Sequence, residues 1–184
     1  MPDTPAAAST AGFRDIDVTF RNRAGRFAWG LVHALLYRPS PRVAHGWRCL
    51  LLRLFGASIG RGVHPYPRSI VWAPWNLVMA DGSSIDDHVV VYNVAPIVFG
   101  RNAGVSQYTY LCSASRDFDR PGRPVIGAPI HIDDDAWVAV RCYIGPGVRI
   151  GARAVVGAAS VVTHNVAANA VVAGSPPRLL RMRD

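Results

Sequence analysis

The residues best suited to chemistry cluster in one short stretch, Ser113 to Ala128. It carries five charged side chains, Arg116, Asp117, Asp119, Arg120 and Arg123, and His131 follows directly after it. The stretch interrupts a regular repeat, and a solenoid tolerates such an insertion as a loop at one corner, where functional groups often lie. We interpret it as a functional loop. The alternative is a solvated loop without a role.

The elements that must position this loop are written in a step of six residues. From Ile132 to Ala167 the chain divides into blocks that all begin with Ile or Val: Ile132, Val138, Ile144, Ile150, Val156 and Val162. The second residue is mostly very small, and where it is Gly we expect a tight turn at positive φ. A step of six matches neither an α-helix nor a flat strand. It predicts a parallel β-helix of hexapeptide units, an all-β solenoid with about 18 residues in each coil.

Composition narrows the possible partners. The chain has 184 residues, of which 50% are apolar and 17% are charged, so we expect one folded domain. Its formal net charge is +8, and all 20 of its basic residues are Arg. This balance suits a phosphate-bearing cofactor, a membrane surface or nucleic acid, but the absence of an Arg-rich stretch interleaved with aromatic residues disfavours nucleic acid.

Location and redox state follow from further absences. No apolar run is long enough to span a membrane, and the first residues lack the apolar core of a secretory signal. The cysteines are odd in number and unrelated in spacing: Cys49, Cys112 and Cys142. They predict reduced thiols in the cytoplasm, and no zinc-binding spacing is present, so no metal is expected.

The predicted organisation has four parts. We expect a flexible tail over 1–19, a helical segment over 20–58, the β-helix over 59–175 with its loop at 113–128, and a second tail over 176–184. Within the helical segment, apolar spacing and Arg residues predict two helices, from Phe20 to Tyr37 and from Val43 to Phe55. We interpret them as a cap over the open first coil. The alternative, or a second role, is a hairpin resting on an anionic membrane surface.

Several short motifs resemble those of a known family. They are Arg38–Pro41, Trp47-Arg48, Leu54–Ala57, Ala73–Leu77, Tyr92-Asn93, Val105–Gln107, Tyr110–Cys112 and the ending Val172–Arg181. With the repeats, they make the chain from about Arg21 onward similar to the hexapeptide-repeat acyltransferases with a left-handed β-helix, and in particular to the colanic acid biosynthesis acetyltransferase group. The resemblance implies transfer of an acetyl group from acetyl-CoA to a sugar hydroxyl by a homotrimer, with active sites between neighbouring subunits.

The resemblance also assigns roles to residues. Asn93 would place the acceptor sugar, and Trp137 would flank the reacting end. A larger set would hold the cofactor: Ala139, Ala158, Thr163 and His164 along the CoA groove, and Arg178 and Arg181 at the CoA phosphates. The alternative for Trp137 is a corner residue that packs between coils. For Arg178 and Arg181 it is a solvated basic tail.

One departure from the family pattern concerns the general base. The family's loop carries a His followed by Asp, whereas this chain has Arg116 followed by Asp117. Arg keeps its proton at any ordinary pH and cannot act as a base. Another residue could replace it, with Asp117, Asp119, His88 and His131 as candidates. Alternatively, Arg116 could stabilise the oxyanion or an anionic acceptor beside a weak base, or the protein could bind CoA or sugar without efficient transfer.

The sequence therefore predicts an O-acetyltransferase of surface-polysaccharide synthesis, acting on a sugar or lipid-linked saccharide, with peripheral contact at the inner membrane face. The alternative is a degenerate CoA- or sugar-binding protein of the same fold. A metal-dependent carbonic anhydrase of this fold would need three gathered histidines, and His88, His131 and His164 lie in separate repeats.

Overall fold

The computed structural model describes residues 12–16 and 19–184. The flexible tail predicted for 1–19 therefore lies largely outside the described residues. Of that segment, Arg14–Asp15 form a short strand.

The main body is a solenoid with three parallel sheets, one along each of its faces. Sheet 1 contains Ser58–Ile59, Leu77–Met79, Ile97–Phe99, Ile130–Ile132 and Arg149–Ile150. Sheet 2 contains His64–Pro65, Ser84–Ile85, Gly104–Val105, Trp137–Val138, Val155–Val156 and Ala170–Gly174, followed by the antiparallel strand Pro177–Met182. Sheet 3 contains Ile70–Val71, Val90–Tyr92, Tyr110–Cys112, Tyr143–Ile144 and Val161–Val162. The chain visits the sheets in the order 1, 2, 3, so each circuit is one coil.

The core is a set of aliphatic columns that run along the solenoid axis. The first residue of each predicted block lies inside; Ile144 and Ile150, for example, are fully buried. Each stacks on its counterpart one coil away, as Ile132 pairs with Ile150 in sheet 1. The predicted inward position of the Ile/Val residues is confirmed. Such a core exists only between coils, because one coil alone leaves its apolar face open.

The prediction of positive φ at the second residue of each block is wrong. Left-handed backbone occurs at the fourth residue instead, and most of the residues there are not glycine: His88, Asn102, Tyr108, Asp135, Arg141, Gly147, Arg153 and Ala159. At some of these positions a small residue is needed for another reason, which is the close approach of the next coil. A Cβ at Gly151 would lie 2.5 Å from the backbone nitrogen of Ala168.

Two helices precede the solenoid. Helix α1 spans Phe20–Val32 and continues as a π-helical turn over His33–Tyr37, and helix α2 spans His45–Leu54. The Thr19 side chain caps α1 by accepting a hydrogen bond from the Asn22 backbone N–H at 3.3 Å. A 3₁₀ turn at Pro74–Asn76 joins the first coil to the second. Among the described residues, none of the helices combines the length and apolarity needed to cross a membrane.

The helices supply hydrogen-bond donors to the open edge of the first coil. Backbone N–H groups of this coil donate to the second, as His64 does to Ser83, which leaves first-coil carbonyls facing the helices. Trp29 Nε1 donates to the Val71 carbonyl at 2.7 Å, and Arg48 Nε donates to the Pro65 carbonyl at 2.7 Å. These bonds satisfy buried backbone acceptors that would otherwise be costly to leave unpaired.

Two segments outside the regular coils, one inserted and one at the C-terminal end, form ordered strands. The predicted loop at 113–128 contains a hairpin of Ala114–Arg116 and Val125–Gly127, and Arg14–Asp15 adds to it as a third strand. The C-terminal segment predicted as a tail instead forms Pro177–Met182, antiparallel to Ala170–Gly174. Gly174, at φ 107°, begins the reversal that brings the segment back onto the sheet.

Candidate active site

Arg116 lies at the end of a hairpin strand. Its backbone pairs with Val125, its side chain is exposed, and Nη1 donates to the Arg123 carbonyl at 3.1 Å. The hairpin therefore projects a fixed positive charge from the corner between sheets 3 and 1. That charge can attract an anion or stabilise an oxyanion, but it cannot accept a proton.

Asp117 is held in an ion-pair network in the loop that connects the two hairpin strands. Its Oδ2 accepts from Arg120 Nε at 2.8 Å, and its Oδ1 accepts from the Asp119 backbone N–H at 3.1 Å. Arg120 also donates to both carboxylate oxygens of Asp15. That hydrogen bond lowers the pKa of the Asp15 carboxyl and raises the pKa of Arg120. Asp117 therefore orders the hairpin, and it could act as a base only by giving up Arg120.

His131 lies on the outer side of sheet 1. Its neighbours in register are Val98 on one coil and Arg149 on the next, and its ring is half-buried. The face of sheet 2 that carries Trp137 lies around a corner from it. A single chain therefore does not bring His131 and Trp137 to one point.

Trp137 stands on the outer side of sheet 2 and is 50% exposed. Its backbone pairs with Gly104, and its Nε1 donates to Ser106 Oγ at 2.9 Å. The indole is thus fixed in orientation while one side stays open to a ligand. Sequence analysis missed Ser106, because the loop insertion lies between it and Trp137 and hides their alignment on adjacent coils.

Asn93 is fully buried at the corner after sheet 3. Its Oδ1 accepts from the Ala73 N–H at 2.9 Å, and its Nδ2 donates to the Ala73 carbonyl at 2.7 Å. This pair of bonds links two successive coils in place of a strand. The side chain predicted to contact the sugar is therefore closed to solvent in the single chain.

The two alanines predicted for the CoA groove lie at the corner between sheets 2 and 3, on successive coils. Ala139 is 7% exposed, its N–H donates to the Val156 carbonyl, and its own carbonyl accepts from Thr109 Oγ1 at 2.9 Å. Ala158 is exposed.

Three of the predicted cofactor residues meet near the last coil. Thr163 Oγ1 lies 3.1 Å from His164 Nδ1. His164 and Arg178 line one cavity of about 570 Å³, whose remaining walls include Val162, Val166 and Leu179. Arg181 is exposed and pairs with Val171 on the same antiparallel strand as Arg178. Arg178 thus lines a mainly apolar cavity, an arrangement suited to a ligand with phosphates and an organic body.

The remaining candidates for a base lie elsewhere. His88 stacks on Tyr108 with ring centroids 4.7 Å apart, at the corner between sheets 2 and 3, and Asp119 is exposed on the hairpin. Within residues 12–16 and 19–184, no three His, Cys, Asp or Glu side chains gather in a way that could hold a metal ion.

Known proteins are similar to this chain in sequence and in fold. No protein-family model matches the chain. WcaF of Escherichia coli K12, named for acetyl transfer in colanic acid biosynthesis, is 37% identical over 155 residues, covering 84% of this chain and 85% of that protein. A galactoside O-acetyltransferase of Lactococcus lactis is 29% identical over 131 residues, covering 71% and 58%. A Vibrio cholerae O1 hexapeptide-repeat acetyltransferase, crystallised with acetyl coenzyme A, matches with a TM-score of 0.81 and 30% identity, covering 91% and 93%.

The six-residue repeat, the coils and the projecting hairpin define a left-handed β-helix acyltransferase, and the predicted fold class is confirmed. The chain belongs to the hexapeptide-repeat acetyltransferase family. Its motifs had predicted this family, and the enzyme class, a CoA-dependent acyltransferase, is confirmed with it.

Proposed function

We propose that this protein transfers the acetyl group of acetyl-CoA to a hydroxyl of a sugar during surface-polysaccharide synthesis, with a free or lipid-linked saccharide as the acceptor. The observation that carries the proposal is the likeness, over most of both chains, to a protein crystallised with acetyl-CoA. The similarity to WcaF and to a galactoside O-acetyltransferase supports a sugar acceptor.

The geometry suits this reaction. The sugar oxygen attacks the thioester carbonyl carbon, the hydroxyl proton passes to a base, and the C–S bond breaks to release the CoA thiolate, which takes up a proton. Trp137 would flank the thioester end. Arg178 and Arg181 would meet the phosphates, and the residues predicted to line the CoA groove, Ala158 and Thr163 among them, would contact the pantetheine arm.

A homotrimer would complete the site. The hairpin with Arg116 and the face with Trp137 lie apart in one chain, so a second copy is needed to bring a hairpin to that face. The outer side of sheet 3 also carries an aromatic row, in which the rings of Tyr92, Tyr110 and Tyr143 follow one another at 6.4 and 6.2 Å. Burial raises the pKa of Tyr143 to about 12, so its ring stays uncharged and suits a contact between copies.

A second candidate function is binding of CoA or sugar without efficient transfer. Two observations favour it: Arg116 occupies the loop position of the family's His, and Asp117 is engaged by Arg120. Both observations concern only the base. Neither bears on the cavity beside Arg178 or on the orientation of Trp137.

The experiment that tests the proposal measures thiol release from acetyl-CoA with nucleotide-linked and lipid-linked sugars. We expect slow turnover by the native protein and, because a positioned base contributes about 10² to 10⁴-fold, a large rise in kcat for Arg116→His. Arg61→His, at an exposed Arg on the first coil, is the matched control and should not change kcat.

Three results would speak against parts of the proposal. If Asp117→Ala or His131→Ala abolishes native turnover and Arg116→His gains nothing, the base has moved to that residue. If only Arg116→His turns over, the native chain is a degenerate member. If acetyl-CoA binds but neither protein releases thiol with any sugar, transfer to sugars is refuted.

A further inference from the structure

Helix α1 presents an apolar stripe to solvent. Phe20 is 85% exposed, Phe27 71% and Leu31 50%, and they recur at the spacing of one helix face. The opposite side of the same helix carries Trp29, which is 3% exposed and hydrogen-bonded to the first coil. The outer stripe therefore does not cover the solenoid. Burial against the protein core, the usual reason for an apolar helix face, does not apply to these residues.

Helix α2 repeats the arrangement. Val43 is 86% exposed and Leu54 70%, with Trp47 and Leu50 on the same face. Trp47 Nε1 donates to the Leu36 carbonyl at 3.0 Å, which joins the two stripes side by side. The buried side of α2, with Arg48 and Leu52, faces the first coil. We call the two exposed stripes together, from Phe20 to Leu54, the helical surface.

The charged residues of the helical segment itself have one sign. Residues 19–80 contain no Asp and no Glu. Arg23, Arg38 and Arg53 lie on the two helices or just beyond them, and all three are exposed. Arg42 is paired with Asp87, Arg48 is buried, and Arg53 donates to the carbonyls of Ile59 and Gly60, so these three are engaged by the protein itself. Large apolar side chains flanked only by Arg form the pattern of a helix that lies in a bilayer interface.

We propose that the helical surface docks onto a lipid bilayer with anionic headgroups. The apolar side chains would enter the boundary between headgroups and acyl chains, and the Arg side chains would meet lipid phosphates. Charge complementarity decides between this occupant and a second copy of the chain. In a twofold contact through this surface the same Arg residues would face each other, and like charges repel. The proposal does not rest on the acetyl-transfer function.

The test is flotation of the full-length protein with vesicles, without acetyl-CoA or sugar. One set is phosphatidylcholine, and in the other about a third of the lipid is phosphatidylglycerol. We expect binding to the anionic set that weakens as salt is raised. Each Arg near such a surface contributes about 1 kcal/mol, so Arg38→Gln should lower the partition coefficient about fivefold.

The apolar part is tested by Phe27→Asp with a matched control. We expect a loss of about tenfold or more, because a phenyl ring leaves the interface and a charge enters it. Phe118→Asp changes the same residue type at nearly the same exposure, 73%, on the distant hairpin loop, and should bind as the native protein does. Since both rings are exposed, neither variant should change the melting temperature.

Two outcomes overturn the proposal. One is equal binding to neutral and anionic vesicles, or equal binding by Phe27→Asp and Phe118→Asp. The other is an absence of vesicle binding together with self-association in sedimentation velocity that Phe27→Asp abolishes. That result would make the helical surface a contact between copies. Neither outcome touches acetyl transfer, which the thiol assay measures separately.

Discussion

Substitution of Gly151 by Ala tests why the second residue of each six-residue block is small. Gly145, Gly151 and Gly157 occupy the same place in successive blocks, and none has a positive φ. At Gly151 an added Cβ would lie 2.5 Å from the Ala168 nitrogen and 2.9 Å from the Ala167 carbonyl carbon. Both contacts are to backbone, so no side chain can rotate away.

The expected magnitude follows from this geometry. Forcing an extra methyl group into a packed site costs typically 1–3 kcal/mol, whereas an unstrained Gly→Ala change gains about 0.4–1 kcal/mol through the unfolded state. At Gly145 the nearest atom to an added Cβ is the Val162 carbonyl oxygen at 3.4 Å, an ordinary contact. Gly145→Ala should therefore be neutral or slightly stabilising, and Gly151→Ala destabilising.

Thermal unfolding followed by circular dichroism distinguishes the two variants. For a domain of this size, about 1 kcal/mol shifts the melting temperature by roughly 2–4 °C, so Gly151→Ala should lower it by between about 2 and 12 °C. Gly145→Ala is the matched control. An equal loss for both variants would refute the reasoning, because the cost would then come from the helical turn itself and not from the next coil.

Two further predictions concern buried polar groups. Asn93→Ala leaves the Ala73 N–H and carbonyl without partners, which costs about 1–3 kcal/mol for each group. We therefore expect a lower melting temperature and an unchanged KM for the sugar acceptor. A raised KM at unchanged stability would indicate instead that Asn93 contacts the sugar. Burial lowers the pKa of His33 below its ordinary 6.5, and its Nε2 lies 2.9 Å from the Ser69 carbonyl. The unfolded chain therefore takes up the His33 proton at a higher pH than the folded protein does, so stability should fall as the pH drops below about 6.5. His33→Gln should reduce the fall in melting temperature between pH 7.5 and 5.5, and His45, whose pKa burial also lowers, should retain part of it; an undiminished slope would contradict this assignment.

The candidate site was only partly accessible from the sequence. Trp137, His164 and Arg178 could be named by their motifs, and the structure gives each a solvent-facing position. Asn93 was named in the same way, but it lies inside the corner because its amide replaces a missing backbone pair. The distinction depends on which way a corner residue points, and motif spacing does not specify that.

The sequence by itself determined the solenoid. A period of six fixes which residues face inward, and each coil contacts only its neighbours, so a local pattern is sufficient to define the core. It also located the hairpin, as a break in that period, and both helices, by their apolar spacing.

Only the tertiary structure decided the contacts between coils. Gly145 and Gly151 are equivalent in the sequence, yet the chain at Ala167–Ala168 passes closely over just one of them. Ser106 reaches Trp137 across the inserted hairpin, and the apolar residues of α1 divide into a buried side and an exposed stripe. The physical reason is the same in each case: sequence spacing sets a residue's place within its own coil or helix, whereas its neighbours depend on how successive elements stack.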